Sequence, residues 1–159
     1  MRKVFAGLAI IMMLVVVVQF FLAASGAFDT APNDESFQAH RALGYGIVLF
    51  AVVLAVIAAL ARVSGRLVAL PGLVAVLAVV QAVIGVVANM SAGAGGSAMV
   101  GQLIFGMHAV NGLAIIAVVG LIVQQAWELS GPAASAPGAG EADDSGASGP
   151  AAGPTRPAS

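Results

Sequence analysis

Apolar residues in this chain form long unbroken runs separated by short clusters of charged residues. Three runs contain no Asp, Glu, Lys or Arg: residues 4–28, 42–61 and 67–127. Because a helix needs about 20 apolar residues to cross the bilayer core, the first two runs predict one span each and the third is long enough for two. Glycine and serine in residues 90–101 favour a loop that divides the third run. The pattern predicts four helices, near residues 4–24, 39–61, 68–89 and 102–126.

The composition agrees with a membrane protein. Hydrophobic residues make up 60% of the chain, charged residues 8%, and the mean hydropathy is +1.05, which excludes an ordinary soluble domain. We therefore predict an all-α fold, an integral membrane four-helix bundle over residues 1–128. The connection at residues 62–66 is too short to reach anything but a neighbouring helix, so an up-down-up-down order follows. Residues 129–159 are rich in Ala, Gly, Pro and Ser and predict a disordered tail.

Basic residues predict the orientation in the membrane. Those on one side of the predicted bundle are Arg2, Lys3, Arg62 and Arg66. Because Lys and Arg near span ends stay on the cytoplasmic side, both termini should be cytoplasmic and the protein should lie in the cell (plasma) membrane. The first run also resembles a signal peptide, but it exceeds the roughly 7 to 15 residues of a signal-peptide core. We expect an uncleaved first helix.

Charge and cysteine content narrow the expected partners. The chain has no cysteine, which excludes disulfides, thiolate metal sites and a cysteine nucleophile. A net charge of -1 provides no basic surface for nucleic acid. The expected partners are the lipid bilayer and either a redox protein or a second copy of this chain.

A pattern of polar residues occurs twice. A glutamine near the end of one predicted helix, a loop and a histidine near the start of the next appear as Gln19 with His40 and as Gln81 with His108. The first and third helices would run the same way, which predicts a parallel repeat about an axis along the membrane normal. Polar groups inside a membrane usually face the interior of a bundle. We therefore expect these four side chains to converge in the outer half of the membrane.

Each histidine is followed one helical turn later by a glycine, His40 by Gly44 and His108 by Gly112. Residue i+4 lies on the same helical face as residue i, so each glycine removes the side chain one turn below its histidine. Gly85 lies at the same spacing after Gln81 and removes the side chain below that glutamine. In the predicted bundle the second and fourth helices lie diagonally. With the axes of neighbouring helices about 8 to 10 Å apart, the two imidazoles would face each other across a gap that accepts a flat ligand. Neutral imidazole is a common iron ligand, which makes both histidines candidate ligands of haem b.

These motifs resemble one four-helix half of haem A synthase, a membrane enzyme built from two such halves. The resemblance covers residues 4–126. It rests on His40 and Arg41 opening the second helix, on Q-x-x-I-G from Gln81 to Gly85 where that family has Q-x-x-L-G, and on His108 early in the fourth helix. In that family the paired histidines ligate haem, so the resemblance implies that His40 and His108 are axial ligands.

The chain departs from that family in three respects. Only one half is present, Phe37 stands where the family has an acidic residue, and the external cysteine pair is missing. These departures argue against haem A synthesis by this chain alone. The chain is also similar to small uncharacterised four-helix membrane proteins of bacteria, a resemblance that implies no activity.

Two functions remain open at this point. The first is a bis-histidine haem b module for electron transfer or haem handling, with a site formed by the two histidines, the two glutamines and the three glycines. The second is a cofactor-free structural or partner-binding membrane subunit, in which the same polar groups, with Asn111 as a further donor, fix the helix register. No nucleotide loop or second acid or base accompanies the histidines, so catalysis by this chain alone is weakly supported.

Overall fold

Four long helices make up most of the protein. The computed structural model describes residues 2–93 and 98–130, and within these residues all regular structure is helical. The helices are α1 (Arg2–Ala27), α2 (Asn33–Ser36), α3 (Gln38–Leu60), α4 (Gly65–Gly93) and α5 (Ala98–Ser130). All except α2 are long and apolar enough to cross a membrane, which confirms the prediction of four such helices.

The helix ends differ most from the prediction between α4 and α5. Residues 90–93 and 98–101, which we expected in a loop, are helical. Glycine in a helix costs about 1 kcal/mol relative to alanine in water. Next to lipid this cost is smaller than that of leaving backbone groups without hydrogen bonds, so the helices continue. Helix α5 also includes Leu129 and Ser130, where we placed the start of the tail; the remainder, residues 131–159, lies outside the described residues.

Each long helix packs against two others. Helix α1 contacts α3 and α5, and α4 contacts the same two helices. In the part of the chain that the structure describes, α1 does not pack against α4, nor α3 against α5. Helices α3 and α5, which carry the two histidines, therefore face each other diagonally.

The buried positions repeat between the two helix pairs. Counted from their histidines, matching positions of α3 and α5 are buried: Ile47 and Ile115, Ala51 and Val119, Leu54 and Ile122, Ala58 and Ala126. Counted from their glutamines, matching positions of α1 and α4 are buried as well: Phe5 and Leu67, Met12 and Val74, Val16 and Ala78. The polar repeat of the sequence is thus accompanied by a repeat in packing.

Large apolar side chains cover much of the outer surface of the four long helices. Large side chains such as Leu14, Phe21 and Leu49 are mostly exposed, and no polar or charged residue among those described is buried. A surface of this kind is suited to contact with hydrocarbon rather than water. The polar side chains between the helices are half-buried.

A compact turn joins α3 to α4. Arg62 adopts a left-handed conformation with a φ of 52°. The Arg62 backbone N–H donates to the carbonyl of Ala59, and the Val63 N–H donates to that of Ala58. A left-handed residue together with these two hydrogen bonds to the last turn of the helix is the Schellman motif. It ends α3 and turns the chain sharply at residues 61–64.

Candidate functional site

Two imidazole rings meet in the space between α3 and α5. His40 is in the first turn of α3, whereas His108 lies well inside α5. Their ring centroids are nevertheless only 6.2 Å apart, with an interplanar angle of 46°. The two rings therefore lie at one depth in the protein, and both are half-buried.

Gln19 and His40 bind each other's backbone. The Gln19 side-chain amide donates to the His40 carbonyl oxygen at 2.8 Å, and His40 Nδ1 lies 3.2 Å from the Gln19 carbonyl oxygen. A carbonyl only accepts, so the hydrogen of this second bond belongs to Nδ1. The Nε2 atom then keeps its lone pair and accepts a longer hydrogen bond, of 3.4 Å, from the Gln19 side-chain amide.

Gln81 and His108 repeat the first of these bonds between α4 and α5. The Gln81 side-chain amide donates to the His108 carbonyl oxygen at 2.8 Å. The structure therefore places the four predicted polar residues in two cross-links, one in each half of the protein, each made by a glutamine amide and a histidine carbonyl.

Asn111 extends the second cross-link. Its side-chain amide donates to the Leu77 carbonyl oxygen at 2.9 Å and to Oε1 of Gln81. The expectation of Asn111 as an interhelical donor is confirmed. The first cross-link lacks such a donor, because Leu43 holds the corresponding place after His40, and Oε1 of Gln19 is buried without a hydrogen-bond partner.

The glycines next to the histidines accommodate side chains of neighbouring helices. A Cβ atom on Gly44 would lie 3.2 Å from the Gln19 amide nitrogen. One on Gly112 would lie 3.3 Å from the Phe20 ring and 3.6 Å from the Gln81 amide nitrogen. This differs from the clearing that we expected, because the space beside both glycines holds protein atoms.

The same contacts explain the spacing of histidine and glycine. In a helix the carbonyl of residue i already accepts the N–H of residue i+4, and its second lone pair opens beside the side chain of that residue. Glycine at i+4 leaves this lone pair accessible. The glutamine amides then reach the histidine carbonyls between the helices.

Gly85 has a different environment. A Cβ atom at this position would meet no atom within 4 Å. Nothing in its surroundings requires glycine, and the structure does not bring it into contact with the histidines.

Two aromatic rings complete the site and were not predicted as part of it. Phe37 packs edge-on against His40, with ring centroids 6.1 Å apart and an interplanar angle of 84°. Phe20 lies beside Gly112. Phe37 precedes His40 by three residues and Phe20 follows Gln19 directly, so helical periodicity places Phe37 on the histidine's face but does not single out Phe20.

An ion pair lies next to His40 in the sequence, and two clefts open elsewhere on the surface. Arg41 donates to the backbone carbonyl of Asp34 and forms an exposed ion pair with its carboxylate at 3.8 Å. A cleft of about 560 Å³ between α3 and α4 is lined by Tyr45 and aliphatic side chains, and another of about 590 Å³ lies between α4 and α5. Neither cleft is lined by a histidine.

The donor set restricts which metal could be held. Within residues 2–93 and 98–130, no three His, Cys, Asp or Glu side chains are grouped so that they could bind a metal ion. A metal bound only by side chains usually needs three or four such ligands. Two imidazoles instead suit an iron whose other coordination positions are filled by a macrocycle.

A protein-family model described as a family of unknown function (DUF6220) matches residues 19–88, which is less than half of the chain. The matched region is similar to that family from Gln19 to Ala88 and includes His40 and Gln81 but not His108. No curated protein and no solved structure matches the chain. The resemblance to haem A synthase has no counterpart in these comparisons and stays a prediction.

The glycine contacts predict unequal effects of adding a methyl group. Gly44→Ala should lower the free energy of unfolding by about 1 kcal/mol relative to Gly85→Ala, because the methyl group displaces the Gln19 amide from the His40 carbonyl. Reversible unfolding in mixed detergent micelles measures the difference. Gly85→Ala is the matched control, since its methyl group meets open space. Equal stabilities of the two variants would show that the amide does not depend on Gly44.

Proposed function

We propose that this protein is an up-down-up-down four-helix bundle of the plasma membrane with both termini in the cytoplasm. Support comes from the basic residues Arg2 and Lys3 at the start of α1 and Arg62 and Arg66 around the α3–α4 turn. The segment between α1 and α3 is acidic instead. The positive-inside rule then directs this acidic segment to the outer face. The histidine layer, formed by Gln19, His40, Gln81 and His108, would lie near the same face.

Single cysteines test this orientation, because the chain has none of its own. Thr30→Cys, in the exposed segment before α2, should react with a membrane-impermeant maleimide in intact cells. Ser64→Cys, in the α3–α4 turn, should react only after permeabilisation. The reverse pattern would contradict the orientation. Labelling of both sites in lysed cells controls for intrinsic reactivity.

We further propose that the histidine layer binds one haem b, with His40 and His108 as axial ligands. The observation that carries this proposal is the distance of 6.2 Å between their ring centroids. Two imidazoles that share one metal, each at a metal–nitrogen distance of about 2 Å, have centroids roughly 6 Å apart. Their interplanar angle of 46° is compatible with ligation, because each ring can rotate about its metal–nitrogen bond.

The hydrogen bond to Gln19 supports the same proposal. Ligating histidines commonly donate their second ring N–H to a backbone carbonyl, which fixes the tautomer and orients the ring. His40 makes such a bond through Nδ1, and the lone pair of Nε2, which accepts a 3.4 Å hydrogen bond from the Gln19 amide, would bind the metal instead.

Bound haem would supply one-electron chemistry, and the protein would hold and orient it. A single haem in the outer half of the membrane cannot carry an electron to the other face by itself. The function is therefore electron transfer with a separate redox partner, or the handling of haem near the outer leaflet. The residues of the site include no further acid or base, so the chain acts as a binding module rather than as an enzyme on its own.

A second function is favoured by a specific observation. Phe20 and the two glutamine amides fill the space beside Gly44 and Gly112, and the cross-links join neighbouring helices by direct hydrogen bonds. Such bonds stabilise membrane helix packing by about 0.6 to 2 kcal/mol each. In this second function the protein is a cofactor-free structural or partner-binding subunit, and the histidines only fix the register of the helices.

Absorption spectra separate the two functions. The full chain, purified in detergent from cells supplied with haem, should show a low-spin Soret band that shifts on reduction with dithionite. His40→Ala and His108→Ala should each lose the six-coordinate spectrum, since one axial ligand is removed. The double variant should bind no haem.

Tyr45→Phe is the matched control and should leave the spectrum unchanged, because Tyr45 lines the outer cleft between α3 and α4. A colourless, well-folded preparation would support the structural alternative. Equal haem content in the native chain and the double variant would place the haem elsewhere.

A further inference from the structure

The Phe37 ring approaches both the His40 ring and the end of α1. It packs edge-on against His40, with ring centroids 6.1 Å apart and an interplanar angle of 84°. A Cβ atom added to Gly26 would lie 3.1 Å from two atoms of the Phe37 ring and 2.7 Å from the Ser36 carbonyl oxygen. Gly26 is buried, so this close approach to α1 depends on the absence of a side chain at position 26.

The segment that ends at Phe37 is held by hydrogen bonds of its own. We call residues 28–37 the end cap. Within it the Ser36 hydroxyl donates to the Ala31 carbonyl at 2.9 Å. The Arg41 guanidinium, from the first turn of α3, donates to the Asp34 carbonyl. The end cap is therefore tied to α3 and gives Phe37 a defined place against His40.

The His40 ring needs more than one contact to keep a single orientation. Its hydrogen bond from Nδ1 to the Gln19 carbonyl fixes one atom of the ring, and a ring held at one atom can still tilt about that bond. The bond that Nε2 accepts from the Gln19 amide is long, at 3.4 Å, and restrains this tilt weakly. The edge-on contact with Phe37, at nearly a right angle, opposes it.

We propose that Phe37 is a positioning residue for His40. Seated against Gly26, it keeps the imidazole on the Gln19 carbonyl and covers the ring at the end of the bundle that carries the end cap. Phe37 acts on the histidine and not on a ligand, so this role does not require haem. In the haem site proposed above, the same contact would set the plane of one axial ring, and that part rests on the proposed function.

Histidine modification tests the role of Phe37 in the full, cofactor-free chain. The purified protein is treated with diethyl pyrocarbonate, and mass spectrometry measures the rate at each histidine. Phe37→Ala should raise the rate at His40 roughly two- to tenfold, the factor of one edge-on aromatic contact, and leave the rate at His108 unchanged. Phe28→Ala is the matched control, because Phe28 belongs to the same end cap but is 90% exposed.

Two results would overturn the proposal: an unchanged rate at His40 in Phe37→Ala, or an equal rise at both histidines, which would indicate a general loosening of the bundle. Phe37→Leu keeps most of the apolar volume but has no ring edge, and it should raise the rate at His40 as well. This variant keeps the test decisive if alanine at position 37 prevents folding.

A double variant tests whether Gly26 acts through Phe37. Gly26→Ala should also raise the rate at His40, because the added methyl group displaces the Phe37 ring. Gly7→Ala, in the same helix, is its matched control, since a Cβ atom there meets nothing within 4 Å. Added to Phe37→Ala, Gly26→Ala should change the rate little, because the ring that transmits its effect is already absent. A full additional effect would contradict the proposed contact.

Electron paramagnetic resonance tests the orientation of the ring in chains loaded with haem b. The low-spin ferric signal depends on the angle between the planes of the two axial rings. Phe37→Ala should shift this signal and Phe28→Ala should not. An unshifted signal in Phe37→Ala would overturn the role of Phe37 in the haem site. If the native chain binds no haem, the proposed haem function fails, and the modification rates still decide whether Phe37 positions His40.

Discussion

In each half of this protein a glutamine side chain binds the backbone of the histidine on the neighbouring helix. The glutamine amide donates to the histidine carbonyl in both halves, and in the first half the His40 ring donates to the Gln19 carbonyl in return. In an apolar surrounding, a polar side chain without a partner is costly, so these groups have few alternatives to one another. The cross-links therefore fix the register of the paired helices, and the first one also fixes the orientation of the His40 ring, on which metal binding would depend.

Because the bond occurs once in each half, the two helix pairs bring the histidine rings together. Gln19 with His40 joins α1 to α3, and Gln81 with His108 joins α4 to α5. The two helix pairs pack so that α3 and α5 lie diagonally, and the buried apolar positions match between the pairs. Equivalent pairs around a common centre bring their rings to the same depth. The distance between the rings is thus a result of two separate anchoring bonds rather than of a contact between the histidines.

Sequence reasoning could predict the parts of this structure that follow from periodicity and polarity. Long apolar runs predict helices, and isolated polar residues in them predict an inward face. It could not predict what the glycines do, because their effect depends on which neighbouring side chain approaches: Gly44 and Gly112 meet an amide and an aromatic ring, whereas Gly85 meets nothing. The Phe20 contact is of this kind too, since it crosses from α1 to α5. The difference between Leu43 and Asn111, by contrast, is visible in the sequence once the two halves are aligned on their histidines.

The Gln19 backbone carbonyl holds the His40 imidazole in one tautomer, and the repeat predicts the same tautomer for His108, so that Nε2 of each ring keeps its lone pair. Nitrogen-15 NMR of histidine-labelled, cofactor-free protein at neutral pH measures the tautomers directly. We expect His40 to carry its hydrogen on Nδ1, in keeping with the bond to the Gln19 carbonyl, and His108 to do the same. A hydrogen on Nε2 of either ring would contradict the proposed ligation, because the nitrogen meant for the metal would then be protonated.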